Sequence, residues 1–99
     1  MNTKVQDIRT YKLNPGATTV LGIPIGSQAM CVMVCREDEE DAPEIGISFL
    51  CNSNASGSMR TFAAYKGNLK GVRSSMDMYV GSVALDGQAY HVFEVVLGG

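Results

Sequence analysis

The side chains of this 99-residue chain that could do chemistry are few and spread out. His91 is the only histidine, and general-base chemistry falls most often to that residue type. Ser82 lies on the other side of Asp86-Gly87, a pair that can supply both positive-φ positions of a type I′ hairpin turn. A two-residue turn there sets Ser82 opposite His91. A working triad also needs a carboxylate to orient the imidazole and donors for an oxyanion. Asp77 and Glu94 are close in sequence, but Glu94 falls on the opposite face of its strand. The pair reads as a histidine hydrogen-bonded on a sheet surface, and no catalytic residue is assigned.

Cys31, Cys35, Cys51 and His91 have the ligand types of a zinc site. Compact zinc sites use close cysteine pairs on turns, whereas Cys31 and Cys35 on one strand face stand about 13 Å apart. That is also beyond the ~7 Å limit of a disulfide. No metal and no cofactor is assigned. The three cysteines leave at least one thiol free in a monomer. A Cys31–Cys51 or Cys35–Cys51 bridge across neighbouring strands stays open, but the favoured reading is three reduced, mostly buried thiols in a reducing cytosol.

Two charged segments remain. Glu37, Asp38, Glu39, Glu40 and Asp41 are consecutive. Their mutual repulsion keeps them in water, so they form a loop that could dock on a basic protein surface. The run lacks the alternating order and glycine of a calcium loop. Lys66, Lys70 and Arg73 make a mildly basic loop in which Gly67 and Gly71 allow close backbone approach, a candidate anion site without a phosphate-loop pattern.

The elements that must position these groups read as strands. Val5–Leu13 alternates imperfectly, as an edge strand would, and Asn14-Pro15-Gly16 is a turn. Ala17–Leu21 is short and β-branched, and Gly22–Gly26 is a breaker-rich connection around Pro24. Gln28–Arg36 holds the run AMCVMVC, whose length predicts a strand buried on both faces. Glu44–Cys51 and Met59–Tyr65 follow, separated by a polar Gly/Ser/Asn loop. The chain closes on a hairpin in which Leu85 faces Gln88, Val83 faces Tyr90, Val80 faces Phe93 and Tyr79 faces Glu94. Gly81 opposite Val92 leaves room for a ring from a neighbouring strand. Six or seven short strands without an amphipathic helix predict an all-β fold, a small antiparallel sandwich or barrel in one domain over residues 1–99.

Composition narrows the function classes. An apolar fraction of 45% is that of a globular chain. A net charge of −2 and eight scattered Lys and Arg argue against phosphate-backbone recognition, so nucleic acid is not an expected partner. No apolar stretch reaches the ~18 residues of a membrane span. Asp7 and Arg9 stand where a signal peptide needs an apolar core, so the chain is expected in the cytoplasm without a membrane. Exposed strand edges and the methionines make a homodimer an expected form.

The closing segment YVGSVALDGQAYHVFEV resembles the signature of an uncharacterised family of small phage and prophage β-proteins. Tyr79, Val80, Gly81, His91, Val92, Phe93 and Glu94 carry the resemblance. Tyr11-Lys12-Leu13 is similar to the family's opening strand, and Arg60-Thr61-Phe62 to its basic-aromatic strand. Two segments depart. The acidic Arg36–Glu44 stretch replaces a short polar loop, and GISFLC replaces a Trp-containing strand. The resemblance implies a β fold and a viral or prophage origin, and the expected cytoplasm is then that of a bacterial host. It implies no activity.

Small size, few catalytic groups and loops of opposite charge favour a non-enzymatic interaction protein that blocks a host factor, with antiviral defence as one target. The alternatives are a binder of small ligands such as nucleotides and a structural or assembly protein of the virion.

Overall fold

The computed structural model describes residues 6–36, 38–67 and 77–95. They form seven strands: β1 (Gln6–Leu13), β2 (Thr18–Pro24), β3 (Gln28–Cys35), β4 (Glu44–Asn52), β5 (Gly57–Lys66), β6 (Met78–Leu85) and β7 (Gln88–Val95). Two antiparallel sheets result, one in the order β1-β4-β3 and one in the order β2-β5-β7-β6. The described chain is all-β, a small sandwich, as the strand spacing predicts. Val5, the expected start of β1, lies outside the described residues.

Alternation along each strand builds the core. Ile45, Ile47, Phe49 and Cys51 are fully buried along one side of β4, and Leu13 and Tyr11 of β1 join them. The other sheet contributes Leu21 and Ile23 of β2, Phe62 and Ala64 of β5, and Val92 of β7. The Phe49 ring meets Tyr11 edge-on at 5.8 Å and Phe62 at 5.6 Å, which ties both sheets through one ring. Such pairs add about 0.5–1.5 kcal/mol beyond the area they bury.

Three expectations need correction. The β3 run, expected to be buried on both faces, is an edge strand, and every residue of it is exposed or half-buried. The central, buried strand is β4, which has hydrogen-bonded neighbours on both sides. Apolar length alone does not distinguish the two. The breaker-rich stretch around Pro24 is instead the end of β2, where Ile23 pairs with Ser58 and Pro24 with Gly57. An edge strand tolerates a missing donor on its open side, and β2 is an edge. The third correction concerns register. Leu85↔Gln88, Val83↔Tyr90, Ser82↔His91 and Gly81↔Val92 pair as expected. Between Tyr79 and Gly81 the register shifts, so Tyr79 faces Phe93 and Met78 faces Glu94. Val80 is the extra residue of a bulge, which a pattern of alternation does not reveal.

The turn behind that hairpin has the expected backbone: Asp86 at φ 51° and Gly87 at φ 76°. The space above Gly81 is filled by Val32 of the opposite sheet, whose Cγ2 would stand 3.0 Å from an added Cβ. No ring enters. The close approach brings the bulged edges β3 and β6 together at one side of the sandwich.

Candidate functional site

The expected Ser–His pair forms. The Ser82 hydroxyl lies 2.6 Å from His91 Nδ1 and 2.6 Å from the Tyr79 hydroxyl, giving a Tyr79–Ser82–His91 chain on the outward side of the hairpin. Glu94 takes no part. Its carboxylate turns inward and grips Arg60 through two hydrogen bonds of 2.7 Å. The Arg60 guanidinium also donates to the Ser27 carbonyl at 2.9 Å and lies over the rings of Phe49 and Phe62. Glu94, the largest cause, raises the Arg60 pKa further above its ordinary value against the opposing effect of burial. Only about a fifth of either side chain is exposed, at 23% and 22%, so this pair closes the sandwich rather than waiting for a ligand.

The cysteines do not converge. Cys31 and Cys35 point outward from β3, while Cys51 is buried on the core side of β4, where its thiol donates toward the Phe49 carbonyl at 3.7 Å. All three are free, which closes the alternative of a bridge to Cys51. Cys31 is exposed and Cys35 half-buried, so only Cys51 fits the expectation of buried thiols. Among the described residues no group of three or more His, Cys, Asp or Glu could hold a metal ion.

Of the acidic run, Asp38, Glu39, Glu40 and Asp41 sit exposed at the tip between β3 and β4, and Glu37 lies outside the described residues. The tip is folded. The Asp41 amide donates to the Asp38 carbonyl, and Arg36 donates to the Glu39 carbonyl at 3.1 Å. Lys12 and Glu44 pair at 3.1 Å beneath it. Two cations therefore stand at the base of the carboxylates and offset part of their field. Of the basic loop, Lys66 ends β5, while Lys70 and Arg73 lie outside the described residues.

The outward surfaces hold a feature that the sequence reading did not single out. On the three-stranded sheet, Lys12, Glu44, Thr10 and Ser48 share the outer face with Cys31, Met33, Cys35, Ile8 and Leu50. It is a mixed face crossed by the Lys12–Glu44 ion pair and by a Thr10–Ser48 hydrogen bond of 2.9 Å. The outer face of the four-stranded sheet differs. Thr18, Val20 and Gly22 face outward on β2, and Met59, Thr61, Ala63 and Tyr65 on β5. His91, Phe93 and Val95 do so on β7, beside Tyr79 and Ser82 of β6. None of these described residues is Asp, Glu, Lys or Arg.

The Phe93 ring is held edge-on between Tyr65 at 5.8 Å and Tyr79 at 5.4 Å. Ala63, its cross-strand partner, is only 4% exposed. At the margins Val20, Met59 and Tyr79 stand 56%, 72% and 60% exposed. A solvated sheet face normally alternates in polar residues, so this one has the composition of a contact surface. Finding it requires the strand pairing and the Val80 bulge, which decide which residues share the face.

The fold and this surface define a small antiparallel β-sandwich with one uncharged outer face. No family model matches the chain, and no curated protein and no solved structure is similar to it. No helix of the described residues is long and apolar enough to cross a membrane.

Proposed function

We propose that this chain is a small phage- or prophage-encoded interaction protein that binds a host protein and blocks it, using the outer face of the four-stranded sheet. The observation that carries the reading is the uncharged face with Val20, Met59 and Tyr79 in the open. Covering a side chain of that size contributes about 1.5–3 kcal/mol, so a few contacts supply useful affinity. The phage origin rests on the closing motif, Tyr79-Val80-Gly81 through His91-Val92-Phe93-Glu94.

The strand edges favour a face over an edge as the docking surface. β3 and β6 each carry a bulge, β2 carries Pro24, and β1 carries Asp7, Arg9 and Lys12. Bulges, proline and charge are the devices that keep edges from pairing with a further strand. The paired strands hold Val20, Met59 and Tyr79 on one face before binding, which lowers the ordering cost of association. The exposed carboxylates Asp38–Asp41 act at longer range, speeding encounter with a basic partner rather than anchoring it.

The test is capture of a partner from bacterial host lysate by the tagged protein, followed by assay of the captured protein's own activity. A stoichiometric partner whose activity falls on adding this chain supports the reading. A partner that stays fully active, or capture equally strong after Val20→Lys and Met59→Lys, contradicts it.

A further inference from the structure

β2 and β5 part company at Thr18↔Ala63, where the chain turns through Ala17 and Gly16 toward the other sheet. β5 continues to Lys66, paired only with β7. The departure leaves a notch of about 460 Å³ lined by Gly16, Ala17, Thr18, Ala63, Ala64, Tyr65 and Lys66. That volume lies within the range of about 300–1,000 Å³ typical of small-molecule sites. The Ala64 carbonyl accepts from the Gly16 amide at 3.1 Å, so Ala64 turns its backbone groups toward the β2 side. Strand alternation then directs the Lys66 N–H the same way. The Gly67 amide bonds Ala89 of β7 at 3.0 Å, as the same alternation requires.

We infer that this notch is a binding site for a small organic anion, a carboxylate or phosphate carried on a compact apolar body. The Lys66 ammonium and N–H are the donors to the anion, and Thr18 lines the outward side of the notch. Ala17, Ala63 and the Tyr65 ring are the wall for the apolar part. The notch adjoins the proposed protein-blocking face and shares Thr18, Ala63 and Tyr65 with it, while Val20 and Met59 lie further along β2 and β5.

The experiment is a ¹⁵N-resolved NMR titration of the whole chain with phenyl phosphate and with benzoate, using phenol as the neutral control. The inference predicts saturable shifts at Thr18 and Ala63–Lys66 with at least one anion and none with phenol. Lys66→Glu should weaken binding about tenfold or more, the scale of one charge-assisted contact. Ala17→Trp, at an exposed turn position, should block the notch without unfolding the chain, which a thermal melt checks. Shifts with phosphate alone or benzoate alone assign the anion. Absence of shifts with both, equal shifts with phenol, or binding unchanged in Lys66→Glu would overturn the inference.

Discussion

Lys12 and Glu44 form an ion pair across the outer face of the three-stranded sheet, whereas the four-stranded sheet presents Val20, Met59 and Tyr79 with no charged side chain among its described outward residues. Both faces belong to antiparallel strands, and both back onto one core. On the three-stranded side, polar and charged groups are spent on each other, as in the Thr10–Ser48 hydrogen bond. On the four-stranded side, rings pack on rings around Phe93, and Val20, Met59 and Tyr79 stand exposed. The three-stranded face carries polar and charged groups paired with each other, and the four-stranded face leaves Val20, Met59 and Tyr79 exposed without them.

The largest effect should come from removing what the faces share. Phe49 is fully buried and contacts both sheets, so Phe49→Ala should cost about 3–5 kcal/mol, measured by urea denaturation. A loss below about 1 kcal/mol would mean that the sheets are not coupled through this ring.

Glycines then distinguish the faces. A Cβ on Gly46 would stand 2.9 Å from Cys35 Sγ and 3.1 Å from Thr10 Cγ2, while one on Gly22 would meet only Met59 Sδ at 3.7 Å. Gly46→Val should therefore destabilise by about 1–3 kcal/mol. Gly22→Val should stay within about 0.5 kcal/mol. Equal melting temperatures for the two variants would remove the steric difference.

Arg60→Met leaves Glu94 without its partner in a place where little water reaches it. The expected loss is about 1.5–3 kcal/mol, the range for a hydrogen bond to a charged group. Because the Arg60 pKa is raised, this contribution is complete below the ordinary arginine value and is lost only as pH rises through the raised one. Alkaline titration of wild-type stability should show no step from Arg60 before strongly alkaline pH.

The smallest effects concern the tip. Converting Asp38, Glu39, Glu40 and Asp41 to their amides should slow association with a captured partner a few-fold and flatten its salt dependence, with dissociation unchanged. Stopped-flow or surface-based kinetics at two ionic strengths would resolve this. A changed dissociation rate would move the carboxylates into the contact itself.

Much of the fold was legible from local chemistry. Asp86-Gly87 specified its turn, and with it Ser82 opposite His91, because a two-residue loop determines the pairs beside it. The all-β class followed from short β-branched runs between turn residues. Strand order was not legible: AMCVMVC and IGISFLC read alike, yet one is an edge and the other a centre. Burial on both sides depends on which neighbours pair, and no single segment encodes that. The Val80 bulge carries the same lesson, since one extra residue moved Tyr79 from Glu94 to Phe93 and brought it into the aromatic cluster. The apolar face depends on both, whereas the acidic tip was visible as a charge run while its supporting contacts with Arg36 were not.

The most direct test of the central claim is calorimetric titration of a captured partner against two variants. One is Val20→Lys with Met59→Lys on the four-stranded face, and the other is Ile8→Lys, 62% exposed on the three-stranded face. Each should fold with a stability within about 0.5 kcal/mol per substitution of the wild type. The account predicts that the first variant loses binding at least a hundredfold, about 2.7 kcal/mol, and that the second binds as the wild type does. Loss in Ile8→Lys with binding retained in the paired variant would contradict it.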